Sequence, residues 1–179
     1  VDNNSPDRSV ENLSTEFPEF RFELLSTNLG FGHGNNVGAQ IAIGKYLLLL
    51  NPDTYLSDDV LCKLYKFAEA HPEFGVIGPR LIFPDGKFQV SYARYPNIKQ
   101  ELLSALGLIG VTLSTFYRIK DFLFRKREFY NVDFVFGSCL FLRKDIFRLV
   151  KGLDETYFLF TEETDLCYRI KKYEKYQVI

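Results

Sequence analysis

The sequence predicts an α/β fold carried on buried strands of a mostly parallel sheet, and three observations lead there. Residues 46–50 are Tyr followed by four Leu, and the run stops abruptly at Asn51, Pro52 and Asp53. A strand covered on both faces reads as such a run, and it delivers the residues after it to the carboxyl edge of the sheet, where open α/β folds bind ligands. Just upstream, residues 28–38 form a glycine- and asparagine-rich loop opening into a short helical pattern. Downstream, an amphipathic helical pattern separates the first apolar run from a second one at 75–78, as in chains that alternate strand and helix. A polar loop, a helix start and a strand-end Asp together suggest a site for a phosphorylated ligand and a divalent cation.

The elements follow in order. Residues 1–9 gather Asn, Ser, Pro and Asp and read as a strand end entering a turn. Residues 20–25 alternate apolar and charged side chains, as a short strand does. Residues 36–44 suit a short helix and 46–50 the buried strand. Ser57 is placed to cap a helix whose first turn holds Asp58 and Asp59, matching the helix dipole. Its apolar face is Val60, Leu61, Leu64, Phe67 and Ala68, and His71 with Pro72 ends it. Residues 80–92 form a hairpin candidate around Pro84, Asp85 and Gly86. Within 97–130, stretches 100–108 and 116–124 read as helical, and the remainder as a functional loop. Strand pattern returns at 132–136 and 140–142. Residues 144–150 make a small helix stopped by Gly152, and the last helix spans about 161–173.

The totals narrow the function classes. A chain of 179 residues is long enough to bury a core and is expected to be one domain, 1–179. A net charge of −1 disfavours nucleic acid or an anionic membrane surface as the main partner. Arg118, Lys120, Arg125, Lys126 and Arg127 form a local basic exception. Cys62, Cys139 and Cys167 are isolated and lack the spacing of a zinc site, which favours reduced thiols in a cytoplasmic setting. No apolar run approaches the ~20 residues needed to cross a bilayer. The chain has no Met, so Val1 is not expected to be a natural start.

Four motifs carry chemistry, each with an ordinary alternative. Asp53 can supply a carboxylate to Mg²⁺ or Mn²⁺, which needs oxygen ligands and accepts one or two carboxylates plus ligand phosphates; it can equally cap a turn. The 28–38 loop can present backbone N–H groups and the Asn36 amide to phosphate or ribose, or be a plain connection. Glu162, Glu163 and Asp165 crowd the first turn of the last helix, after an aromatic run. One of them can act as a general base with a raised pKa. Acids also favour any helix start, and Asp165 can pair with Arg169. Asp133, Gly137 and Ser138 sit on a strand where Gly lets a ligand near the backbone, or where a bulge forms.

In order and spacing, these pieces resemble the family 2 glycosyltransferases, particularly bacterial rhamnosyltransferase-like members. The matching residues are 1–5; Asn28, Gly30, Phe31 and Gly32; Asn36 and Gly38; 49–53; Val132, Asp133, Gly137 and Ser138; Arg143; and Gly152 to Glu155 through Glu162, Glu163, Asp165 and Leu166. The resemblance implies a GT-A type nucleotide-diphospho-sugar transferase sandwich. It also implies inverting transfer from a nucleotide-diphosphate sugar to a hydroxyl of a saccharide or lipid-linked acceptor, in cell-surface polysaccharide synthesis. On that basis Asp2, Asn28, Gly30, Asn36 and Asp53 bind the nucleotide and Asp53 binds the metal. Glu163 is then the catalytic base. Glu162, Asp165, Asp133, Gly137 and Ser138 support base or acceptor.

Three departures stand out. Position 51 is Asn, leaving one carboxylate in the metal motif. Position 163 is Glu where the family often has Asp. The family's opening strand and helix have no counterpart, so the chain is expected to be a piece of a longer enzyme, prone to self-association through exposed strand edges. A cytoplasmic place, reaching to the inner face of the membrane, is expected. The alternatives are a sugar-nucleotide nucleotidyltransferase and a non-catalytic binding or assembly module of the same fold.

Overall fold

The computed structural model describes residues 1–7, 9–57, 59–95, 98, 102, 128–173 and 175–179. The helical stretches expected at 100–108 and 116–124 lie almost wholly outside these residues. In chain order the described elements are α1 (Ser9–Glu16), α2 (Phe31–Ile41), β1 (Tyr46–Leu50), α3 (Val60–Ala70), β2 (Phe74–Ile77), β3 (Leu81–Ile82), β4 (Phe88–Gln89), β5 (Tyr92–Ala93), β6 (Phe134–Val135), β7 (Cys139–Arg143), α4 (Lys144–Leu149), α5 (Glu162–Lys171) and β8 (Gln177–Val178).

The main sheet runs β1, β7, β2, β8. β7 is antiparallel to both β1 and β2, and β2 is parallel to β8. Three of the four strands therefore share one direction, with a single reversed strand between β1 and β2. The register sets Leu50 opposite Cys139 and Leu48 opposite Phe141.

Alternation along β7 divides the core into two layers. Leu140 and Leu142 join Leu47, Leu49 and Val76 on one face, where α5 contributes Leu166, Cys167 and Ile170. Phe141 faces the other way with Phe74 and Ile77, where α3 contributes Leu64 and Ala68. The sheet is thus buried on both faces, which explains the unbroken apolar runs.

Several boundaries differ from the sequence reading. The 20–25 strand reduces to one parallel bridge between Leu24 and Asp2. α2 starts at Phe31, so Gly32 and Gly34 are buried helix residues rather than loop. Residues 132–136 shorten to β6, and both of its residues are buried. Ser57 does not cap α3: the helix follows Asp59, whose carboxylate pairs with Lys63 at 2.5 Å. The hairpin forms as read, with β3 antiparallel to β4 and Gly86 at φ 78°.

Leu166 has no exposed surface and lies where α5 meets the sheet. Leu166→Ala is expected to cost about 2–5 kcal/mol of folding stability, read from urea denaturation midpoints.

Candidate active site

Residues 157–160 (Tyr, Phe, Leu, Phe) cross the surface with 37–72% of each side chain exposed before α5 begins. The chain then turns into the helix through two left-handed residues, Phe160 at φ 66° and Thr161 at φ 79°. Such conformations cost about 1–3 kcal/mol each and cluster where function over-determines the backbone. Their effect is to drive Glu162 and Glu163 inward, leaving only 3% and 8% of their surfaces exposed.

The Glu163 carboxyl is pushed above its usual range of 4.5, first by burial and then by the neighbouring Glu162 charge. Backbone N–H groups of Glu163, Gly137 and Thr161 work in the opposite direction. Among the described residues, Oε2 of Glu162 is buried without a hydrogen-bond partner. A carboxyl desolvated as Glu163 is can accept a proton readily.

The turn that carries the strand-end acid is tied to the residue after Gly137. The Ser138 carbonyl accepts the Asn51 N–H at 3.1 Å and the Thr54 hydroxyl at 3.2 Å. This fixes the 51–54 turn against the start of β7. Gly137, one residue earlier, lies beside Glu163. A Cβ added there would sit 3.8 Å from the Phe31 ring and 4.0 Å from the Glu163 carboxyl carbon. Those are ordinary contacts, so glycine is not forced by a clash, and the Gly137 backbone stands against both Phe31 and the buried acid.

Asp53 is exposed and has no hydrogen bond or ion pair among the described residues. No group of three or more His, Cys, Asp or Glu side chains stands ready for a metal among those residues. A hard divalent cation fits the chemistry here only as one shared between the Asp53 carboxylate and oxygens of a bound ligand.

A second set of loops meets on the far side of Phe31. Asn3 donates to the Asn28 side chain and to the Gly30 carbonyl, both at 2.9 Å, and the Asn28 side chain also accepts the Gly30 N–H. Asp2 holds the Ser5 N–H at 3.1 Å. Gly30 adopts φ 96°, and a Cβ there would come within 2.4 Å of the Phe158 carbonyl. Only glycine allows that approach. The next residue, Phe31, donates its N–H to the same carbonyl at 3.0 Å. Asp2, Asn28 and Gly30 therefore share one neighbourhood, joined through Phe31 to Gly137 and Glu163.

Other expected site residues have structural partners. The Asn36 side chain accepts the Leu153 N–H and donates to the Leu153 carbonyl and to Glu155, at 2.8–2.9 Å. Gly152, at φ 73°, leaves room for that amide. His33 meets the same Glu155 at 2.8 Å. Asn36 is thus a clamp on the 152–155 loop, and its amide faces the protein rather than a ligand. Asp165 pairs with Arg169 at 2.6 Å, and Arg169 also donates to the Val150 carbonyl. Asp133 accepts the Tyr95 N–H and pairs with Lys171 at 3.0 Å. Lys171 lies two turns beyond Glu163, about 12 Å along the helix. Asp133 therefore braces the far end of α5, away from the acid it was expected to support.

Sequence reasoning gave Phe31, Asn3 and Glu155 no separate role. Their signal was weak because each acts through partners far along the chain. The left-handed pair at 160–161 had no signal, since neither Phe nor Thr favours that conformation.

The family model described as "Glycosyl transferase family 2" matches residues 1–150. The N-acetylglucosaminyl-diphospho-decaprenol L-rhamnosyltransferase of Mycobacterium tuberculosis is 28% identical, over 96% of this chain and 60% of its own length. Rhamnosyltransferase WbbL of Escherichia coli is 28% identical, over 79% of this chain and 54% of its own. The low-salt glycan biosynthesis hexosyltransferase Agl10 of Haloferax volcanii is 24% identical, over 81% and 44%. The chain thus spans about half the length of these curated relatives. The mannosyltransferase PcManGT from Pyrobaculum calidifontis, solved with GDP-Man and Mn²⁺, superimposes with a TM-score of 0.61 at 14% identity, over 100% of this chain and 43% of its own. That likeness is one of fold, the GT-A sandwich. By its family match and its architecture, the chain belongs to glycosyl transferase family 2.

Proposed function

We propose that this chain carries the catalytic part of an inverting glycosyltransferase. The enzyme moves a sugar from a nucleotide-diphosphate donor to a hydroxyl of a saccharide or lipid-linked acceptor, in cell-surface polysaccharide synthesis. One observation carries the reading: a buried acid with a raised pKa, Glu163, lies beside Gly137, and the next residue anchors the turn bearing the exposed Asp53. The rhamnosyltransferase names of two relatives support the donor class, and the diphospho-decaprenol in one of them supports a lipid-linked acceptor.

In this reaction the Glu163 carboxylate takes the proton of the acceptor hydroxyl. That oxygen forms a bond to the anomeric carbon from the face opposite the diphosphate. The bond between the anomeric carbon and phosphate oxygen breaks, and its electron pair leaves with the diphosphate. The start of α5 sets the position of the carboxyl, and Phe31 and Gly137 stand beside it. Asp2, Asn28 and Gly30 line the nucleotide side. Asp53 would hold a divalent cation together with donor phosphates, and that cation would neutralise charge on the diphosphate. A lipid-linked acceptor would set the enzyme at the inner face of the membrane, although no helix among the described residues is long and apolar enough to cross one. Self-association would use the outer edge of β1, unpaired among the described residues.

Replacing the base separates an enzyme from a binding module. Glu163→Gln should lower transfer by about 10²–10⁴-fold while leaving donor affinity unchanged in calorimetry. A binding module would show no change in either measurement. The acidic limb of the transfer rate against pH should lie above the ordinary Glu range, because the base must lose a proton that burial helps it keep.

The same shift has a consequence for stability. The native state holds the Glu163 proton more tightly than the unfolded chain does. The carboxyl therefore costs no stability below about 4.5, and its cost grows as pH rises from there through the raised native value. At neutral pH Glu163→Gln should raise the melting temperature, and below pH 4.5 the gain should vanish.

Asp53→Asn should leave the melting temperature unchanged, because the side chain is exposed and unpaired among the described residues. It should weaken Mn²⁺-dependent donor binding by about tenfold or more, read by calorimetry with and without Mn²⁺.

A further inference from the structure

A cavity of about 650 Å³ lies around the end of β2, apart from the Glu163 and Asp53 neighbourhood. Its interior is apolar: Leu64 and Phe67 come from α3, Ile77 from β2, Tyr92 from β5, Phe129 from the chain before β6, and Val135 from β6. Its mouth is cationic. Lys63, Lys66 and Arg80 are exposed lining residues, and Glu128 is the one acid among the described lining residues. Lys63 is paired with Asp59, and Arg80 stands over the Phe88 ring at 5.4 Å. Volumes of about 300–1,000 Å³ are those of sites that enclose small molecules. An apolar interior under a basic rim fits an amphiphile with a hydrocarbon chain and an anionic head.

The cavity is also continuous with the strip that carries the candidate site. Val135 lines it two residues before Gly137. Ser91, another lining residue, accepts the Phe136 N–H at 2.8 Å. A molecule held in the cavity therefore rests against the segment that leads into Gly137, beside Glu163.

We propose that this cavity holds the hydrocarbon chain of an acceptor whose diphosphate meets the Lys66 ammonium at the rim, leaving its sugar to reach Glu163. The choice of occupant rests on the glycosyltransferase reading above. Binding itself is tested independently of transfer. Farnesyl diphosphate is the probe, titrated calorimetrically into the full chain, with inorganic diphosphate and a non-ionic alkyl maltoside as comparisons. Farnesyl diphosphate should bind at least about tenfold more tightly than either. Ala70→Trp, which places a large ring on an exposed lining position, and Lys66→Glu, which reverses a rim charge, should each weaken it by about tenfold or more. Both variants should keep the wild-type melting temperature.

Equal binding of the maltoside would remove the anionic head from the proposal, and equal binding of inorganic diphosphate would remove the chain. Retained affinity in both folded variants would overturn the site altogether. Sugar transfer without farnesyl diphosphate binding would sink the cavity assignment and leave the catalytic reading intact. Farnesyl diphosphate binding that follows this pattern, in a chain that transfers no sugar, would support the cavity and sink the catalytic reading.

Discussion

Burying the Glu163 carboxyl beside Glu162 removes solvation that the protein returns only in part, through backbone N–H groups of Glu163, Gly137 and Thr161. Much of the surrounding geometry follows from keeping those donors in place. Thr161 presents its N–H because it and Phe160 adopt left-handed backbone. Gly137 presents its own because Ser138, next in the chain, is tied to the 51–54 turn. Phe31 reaches Gly137 because Gly30 lets the α2 start approach the Phe158 carbonyl. A single desolvated acid thereby links three segments that are distant in sequence: the start of α2, the end of β1 and the start of α5.

The parts legible from sequence were those governed by local pattern. Unbroken apolar runs announced β1 and β2 because a sheet covered on both faces demands them. The turn at 84–86 and the stop at Gly152 were legible because glycine at positive φ has few substitutes there. The start of α2 was misread for a related reason. Glycine normally weakens helices, yet Gly32 and Gly34 lie inside this one, buried against Leu153, Asp154 and Asn3, where a Cβ would make only ordinary contacts. Propensity gave way to tertiary contact.

Residue types in the candidate site were readable, but their partners were not. Asn36 and Asp133 looked like ligand-facing polar groups in the right motifs. Their hydrogen bonds run instead to Leu153 and Glu155, and to Tyr95 and Lys171, across 38 to 119 residues of chain. A buried or half-buried polar side chain must find partners, and sequence order does not say whether those partners are protein or substrate. Asn36 and Asp133 therefore brace the fold around the motifs in which they stand.

Two acids stand in contrasting states. Asp53 is exposed and unpaired among the described residues, while Glu163 is enclosed at the start of α5 and its pKa is raised by burial. Where one site contains two carboxyls, divergent environments assign divergent roles. An exposed carboxylate on a turn can share a hydrated cation with a ligand and release both, since its own fold does not depend on that bond. A buried one at a helix start can take a proton in a fixed direction, since the helix and the 160–161 turn set its position. Under the proposed roles, exchanging the two environments would defeat both: a buried Asp53 would have to shed water from any cation it held, and an exposed Glu163 would lose the desolvation that raises its pKa. The division between the two positions is therefore the physical content of the site, and the fold maintains it through Ser138 on one side and Gly137 on the other.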